Sequence, residues 1–212
     1  MTPDRTADRA AARKVINVSR ETLARLDQLV FMLDRWQATM NLVAPASLPF
    51  VWTRHVADSF QLLALAPTKP DVWVDLGSGA GFPGLVVAAA LPGTSVHLVE
   101  SNVKKAAFLR EASRAMGVGA VIHAARADAV VGKAIETADI VSARALSSLS
   151  ELLGHASPLL KTGAVGLFPK GREVEAELTA ARECWRFNAS LHPSLTDAEA
   201  RIVRIDGFDG PR

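Results

Sequence analysis

Val72 to Leu85 reads VWVDLGSGAGFPGL. Four apolar residues around Asp75 make a short buried strand. Gly77, Gly79, Gly81 and Gly84 then fall within eight positions. Glycine lets a backbone turn through the left-handed region and approach a ligand closely. Gly79 to Gly84 spells Gly-x-Gly-x-x-Gly, which opens the first helix of a dinucleotide-binding sheet. The loop therefore reads as the cradle of a nucleoside ligand. That ligand either carries a pyrophosphate, as NAD does, or carries no phosphate at all.

Two acids bear on the choice. A pyrophosphate sits on a helix N-terminus that is open to negative charge. Asp75 ends the strand two residues before the first glycine, where it repels a phosphate and favours a cation such as the α-ammonium of an amino acid. S-adenosylmethionine carries that ammonium, a carboxylate and a sulfonium, and no phosphate. Asp75 is expected to face the ammonium directly or through water. Glu100 ends the next strand, SVHLVE, 21 positions after Gly79. An acid there accepts hydrogen bonds from two ribose hydroxyls. Both ligands have the ribose, so Glu100 argues for a nucleoside and Asp75 for the methyl donor, with NAD as the competing ligand.

The rhythm around this loop is that of an α/β chain. The strands VWVDL, SVHLVE, AVIHAA, ADIVSARA and GAVGLFP are separated by helical stretches from about Pro83 to Ala90, VKKAAFLREASRAMG, SSLSELLGHASPLLK and EVEAELTAARECW. Such alternation builds a parallel sheet with helices on both faces. Segments near Arg186–Leu191 and Arg201–Ile205 have no helix between them and should pair antiparallel at one edge. Upstream, Leu23, Leu26, Val30 and Leu33 form one apolar helix face after an N-capping Ser19. A further helix is expected from about Phe50 to Leu65. The organisation is then a disordered leader over 1–18, a helical extension over 19–66 and a ligand-binding domain over 70–212.

The chain has 212 residues, 49% of them hydrophobic and 22% charged, which suits a globular body. No apolar run is long enough to span a bilayer, and the N-terminus lacks a signal core. One cysteine, Cys184, allows no internal disulfide and fits a reducing cytoplasm. Net charge is +2, which permits nucleic acid as a partner without requiring it. Arg5, Arg9, Arg13 and Arg20 alternate with Asp4 and Asp8 and read as a solvated leader, with a basic arm touching RNA as the minor alternative.

VDLGSGAGFPGL, LVESNVKKAAFLRE, VSARAL and Lys170–Gly171, with WQATMNLVA and RHVADSFQLL upstream, together resemble one family: the bacterial 16S ribosomal RNA guanine-N7 methyltransferases, also called glucose-inhibited division protein B. The likeness covers about Leu33 to Gly171. It implies a Rossmann-like, S-adenosylmethionine-dependent core with a seven-stranded, mostly parallel sheet, an antiparallel edge and a small helical N-terminal extension. By position, Gly77, Gly79 and Phe82 in the loop, Ala127 and Asp128 after the third strand and Arg144 after the fourth should contact the donor, and Glu100 its ribose. This chain has Asp128 where the family usually carries Glu. The implied partner is 16S rRNA or the small ribosomal subunit during assembly, met by a cytoplasmic monomer without membrane or metal. Arg144 is the candidate for orienting donor or guanine.

Other side chains have two readings each. Arg54, His55, Asp58 and Ser59 lie within two turns of one helix, either as a local brace or as a wall of an RNA cleft. Lys104 and Lys105 begin a helix as a solvated face or as phosphate contacts. Lys170 joins this RNA-contacting set. The five histidines are scattered, which argues against a metal site. Cys184 lies far from the loop, which argues against cytosine-C5 chemistry. SARA stands where adenine-N6 enzymes carry an Asn/Asp-Pro-Pro-aromatic word. Guanine N7 bears no proton, so its methylation needs no general base, in keeping with a sequence that offers none. A methyltransferase of another RNA or of a small molecule, or a non-enzymatic factor that binds RNA and senses the donor, are the alternatives.

Overall fold

The computed structural model describes residues 4–212. Strands β1 (Val72–Leu76), β2 (Ser95–Val99), β3 (Val121–His123), β4 (Ile140–Ala143), β5 (Val165–Lys170), β6 (Trp185–Pro193) and β7 (Arg201–Pro211) form a sheet of order β3-β2-β1-β4-β5-β7-β6. The pairs β3–β2, β2–β1, β1–β4 and β4–β5 are parallel. The two late strands pair antiparallel, as their short connection requires. β7 also pairs antiparallel with β5, so the later strand lies inside the sheet and the earlier one forms the edge.

Helix α1 (Thr6–Ala12) and helix α2 (Arg20–Gln37) precede the sheet, and the single turn α3 (Asp58–Phe60) leads towards it. Helices α4 (Gly84–Ala90) and α5 (Val103–Met116) follow the first two strands, and the one-turn α6 (Ala127–Val130) follows the third. Helices α7 (Leu149–Lys161) and α8 (Val174–Cys184) flank β5. Alternate residues of a strand face opposite sides. Trp73 packs into the apolar cluster that also holds Leu85, Leu98, Phe108 and the buried face of α2, while Val74 and Leu76 pack with Leu149, Leu152, Leu159 and Leu178 on the other side. Every α4 residue from Gly84 to Ala89 is buried, because this helix lies between the sheet and the extension.

Two upstream expectations change. Residues 1–3 of the expected disordered leader lie outside the described residues, but over Thr6–Ala12 the leader is a helix, followed by a turn. Arg5 donates two hydrogen bonds to the Asp34 carboxylate at 2.7 and 2.8 Å and one to the Leu48 carbonyl at 2.7 Å. Asp8 accepts the Trp52 and Thr53 N–H groups at 2.8 and 3.2 Å. Ala12 and Ile16 are buried in the core. Of the alternating charges that read as solvated, Arg5, Asp8 and Arg9 are tertiary partners, while Asp4, Arg13 and Arg20 stay exposed, a distinction that local alternation cannot make.

The helix expected from Phe50 to Leu65 is instead a run of turns of changing pitch. A 3-10 segment (Pro45–Phe50) leads through a π turn (Trp52–Ala57) and α3 to a second 3-10 segment (Gln61–Leu65). A π turn re-aims the side chains that follow it and is common at functional sites. This one carries Arg54 and His55 and immediately precedes Asp58.

Candidate active site

The C-terminal ends of β1 and β4 and the irregular helical run enclose a cleft of about 800 Å³. Gly77, Gly79, Phe82 and Glu100 line it on the loop side, and Arg54, His55, Lys105, Arg144 and Lys170 line the rest of the wall.

Asp75 is not in that wall. It is fully buried beneath the loop. Its Oδ1 accepts the Ser142 hydroxyl at 2.8 Å, and that hydroxyl accepts Trp73 Nε1–H at 2.9 Å. Its Oδ2 accepts the Gly84 N–H at 3.1 Å. Burial pushes the Asp75 carboxyl up to about 6, against the bonds from Ser142, Ser78 and Gly84 and the charge of Arg144. The expected contact between Asp75 and an ammonium is thus corrected: the carboxylate anchors the floor of the site from below. A pyrophosphate is disfavoured further, because an acid already engages the first N–H of α4.

The floor leaves room for a ligand. A Cβ on Gly79, whose φ is +53°, would meet no atom nearer than the Gly77 carbonyl oxygen at 3.7 Å, so packing does not explain the bare backbone at the cleft wall. Gly84 is different: a Cβ there would stand 2.1 Å from Leu98 Cδ2, so this glycine serves the close approach of α4 to β2. Glu100 shapes the rim, its Oε2 accepting Gly79 N–H at 2.9 Å and its Oε1 accepting Asn102 N–H at 2.7 Å. Each oxygen keeps a lone pair for a ribose hydroxyl. Asn102 in turn caps α5. These residues fit the donor inferred from the sequence.

Arg144, next after β4, is held from several sides. One guanidinium nitrogen donates to Asp58 Oδ2 at 2.8 Å and to the Arg54 carbonyl at 2.9 Å. The other donates to His55 Nδ1, which fixes the tautomer, so Nε2–H donates to Ser47 Oγ at 2.8 Å. His55 stacks on Phe82 with ring centroids 5.1 Å apart, and Arg144 lies over the same ring. Burial, with Arg144 and Arg54 alongside, pushes His55 down to about 3. Asp58 Oδ1 accepts from Gln61 and from Thr196 in the β6–β7 loop, at 2.9 and 2.8 Å. The group forms the expected brace, of which Arg54, His55 and Asp58 also line the cleft, while Ser59 is buried behind it with its hydroxyl on the His55 carbonyl.

Other expected positions fare differently. Lys105 lines the cleft, whereas Lys104 is exposed and outside its wall. Lys170 lines it but is tied to Glu177 Oε2 and the Ser147 carbonyl, both at 2.7 Å, so its charge is neutralised within the fold. Ala127 and Asp128 sit on α6 beyond the wall, with the exposed Asp128 carboxylate 3.6 Å from Arg126. The sequence reading missed Ser142 and Asn102. Ser142 was detectable as the polar residue in the buried strand IVSA, in register with Asp75, and Asn102 as an Asn one residue before a helix.

Glu100→Ala should weaken donor binding at least tenfold in calorimetry, since hydrogen bonds to a charged group are worth about 1.5–3 kcal/mol. Glu100→Gln, which keeps one acceptor oxygen, should lie between. Unchanged affinity in both variants would remove Glu100 from the site.

A family model described as rRNA small subunit methyltransferase G matches residues 22–203. The chain is 53% identical over 209 residues to the ribosomal RNA small subunit methyltransferase G of Methylobacterium sp. (strain 4-46), covering 97% of this chain and 98% of that one. It is 54% identical over 211 residues to the protein of the same name from Rhodopseudomonas palustris (strain BisB18), covering 98% and 89%. Among solved structures, a putative O-methyltransferase from Klebsiella pneumoniae superposes with a TM-score of 0.60 over 95% of this chain and 96% of its own, at 13% identity. A mutant of MtNAS in complex with S-adenosylmethionine does so with a TM-score of 0.59 over 89% and 72%, at 15% identity. These two speak for the fold alone. With the family model and the relatives spanning nearly its whole length, the chain belongs to the rRNA small subunit methyltransferase G family, enzymes that depend on S-adenosylmethionine.

Proposed function

We propose that this chain methylates N7 of a guanine in 16S rRNA, as naked RNA or within an assembling small subunit. The observation that carries this reading is the engagement of the titratable groups around Arg144. His55 Nδ1 accepts from Arg144 and its Nε2 holds the proton directed at Ser47. Asp58 is paired with Arg144, and Glu100 with two backbone N–H groups. Such a cleft suits a nucleophile that has no proton to lose. Bound there, S-adenosylmethionine supplies a methyl group on a sulfonium, open to direct in-line attack by N7 with a neutral thioether as leaving group.

The chain's own contribution is then position and dryness. Glu100 and the bare backbone at Gly79 hold the nucleoside end of the donor. Phe82 and the ring of His55 give an apolar wall. Arg144 presents a planar donor fork that suits guanine O6. Lys105, and Arg54 in exchange for its partner Asp197 at 3.1 Å, are cleft cations offered to phosphates of the RNA, and affinity for folded RNA rests largely on such contacts.

Labelling of 16S RNA from a strain lacking this gene, with methyl-labelled donor and mapping by strand scission at N7-methylguanine, tests the reading. One labelled guanine supports it. Label in a small molecule alone, or RNA binding without transfer, supports one of the alternatives.

The pH profile tests the chemistry. Single-turnover methylation of bound RNA should be nearly flat from about pH 6.5 to 8.5, above ordinary carboxylates and below Lys and Arg. An unperturbed histidine would titrate at the acid edge, but His55, held down at about 3, does not. A log-linear rise of unit slope across the window would mean proton removal in the transition state, and the target atom would then be a protonated one.

A further inference from the structure

The groove between α1 and the start of α2 takes no part in the cleft chemistry. It encloses about 660 Å³, and Arg5, Arg9, Arg13 and Arg20 line it together with Val18 and Leu23. Between Arg5 and Arg25 the sequence holds six basic residues and two acidic ones, an excess of four in a chain of net charge +2. Positive charge is thus concentrated here, and the rest of the chain is net negative.

The four arginines are not equivalent. Arg5 is buried and paired with Asp34. Arg9 pairs with Asp27 at 2.6 Å and lies over the Trp52 ring, 5.1 Å from its centroid. Its Nε is buried with no hydrogen-bond partner. A donor held in place and left unfilled is costly unless something accepts from it. Arg13 and Arg20 are exposed, and among the described residues neither forms an ion pair. Of the nearby acids, Asp8 is engaged with Trp52 and Thr53 N–H, and Glu21 lies exposed beside Arg20.

We infer that this groove binds the phosphodiester backbone of the substrate RNA at a second place, apart from the cleft. The inference rests on the reading of the substrate as RNA. Planar guanidinium forks match phosphate oxygens, and a recessed groove suits a strand better than a flat membrane surface. Asp8 bonds this helix to the turn that carries Arg54 and His55. A strand seated on α1 is therefore registered against the wall of the cleft.

The test is the double variant Arg13→Glu/Arg20→Glu, both exposed, with its melting temperature compared with wild type. Binding of an unmethylated 16S fragment is followed against salt. Each phosphate contact on a single strand contributes about −0.7 to the log–log slope, so the variant should lose about 1.4 of it. Affinity at 0.1 M salt should fall tenfold or more. Donor affinity and the rate on saturating RNA should be unchanged, and Arg13→Lys/Arg20→Lys should restore most of the RNA affinity. A steep wild-type slope that the charge-reversed variant retains would overturn the groove while leaving the substrate assignment standing. A wild type that neither binds nor methylates RNA would overturn the assignment, and the groove with it.

Discussion

Arg144→Lys is expected to lower the single-turnover rate on saturating RNA by about 100-fold, the scale at which a reacting group misplaced by an ångström slows chemistry. Lysine keeps the charge but is a point donor on a flexible stem. It cannot reach Asp58, the Arg54 carbonyl and His55 Nδ1 at once, as Arg144 does. Donor affinity, measured separately, should change by much less than the rate. Arg144→Ala should also lower stability, because the Asp58 carboxylate, with 17% of its side chain exposed, loses its cation. Removing one partner of a fully buried pair costs about 3–5 kcal/mol, and the residual exposure and the bonds from Gln61 and Thr196 keep this case at or below the lower figure. A lysine variant with the wild-type rate would relieve Arg144 of any part in orientation.

Asp75→Ala should remove both stability and donor binding. It leaves the Gly84 N–H and the Ser142 hydroxyl unpaired in a dry interior, at about 1–3 kcal/mol each, and frees the start of α4. Chemical denaturation should show a loss of about 2–6 kcal/mol on the same grounds, and calorimetry of the folded fraction should show donor affinity reduced by at least tenfold. Asp75→Asn separates shape from charge. Asp75 titrates near 6 in the fold against 3.8 normally, so the unfolded chain releases this proton first and stability declines as pH rises from about 4 to 6. His55 does the opposite: held at about 3 against 6.5, it makes stability fall as pH drops below about 6.5. The two effects oppose each other in wild type. With asparagine at 75 the opposing contribution of the carboxyl is gone, and the loss of stability between pH 6 and 4 should steepen. An unchanged pH dependence would mean that Asp75 is not the buried acid described here.

The sheet was legible because its signals are local. Short apolar strands end in acids or glycines, and Ser19 and Gly117 mark helix ends where the structure has them. The glycine loop, Glu100 and Arg144 were legible because close backbone approach and strand-end placement follow from residue type and order. What escaped depends on distance in the chain. Arg5 meets Asp34 and Asp8 meets Trp52, and no pattern within the first 18 residues announces either. The π turn packs on α1 and α3 packs on α4, both separate elements, so a run that looked like one helix became four segments of three kinds of turn. Asp75 stood out in the sequence as an acid beside the loop, but which side of the loop it occupies is decided by Ser142, 67 residues away. Lys170 looked free for RNA because Glu177 lies two turns off on another element.

Ala145 follows Arg144 with φ at +52°, a left-handed conformation rarely adopted by a residue that carries a Cβ. Holding it there costs about 1–3 kcal/mol. Glycine at this position would relieve the strain, and a screen for heat resistance would favour that change. The same glycine would give the Arg144 backbone freedom that the alanine denies it. Durability and turnover are therefore set against each other at one methyl group, and an engineer seeking a tougher enzyme should leave residue 145 alone and look on the far side of the sheet.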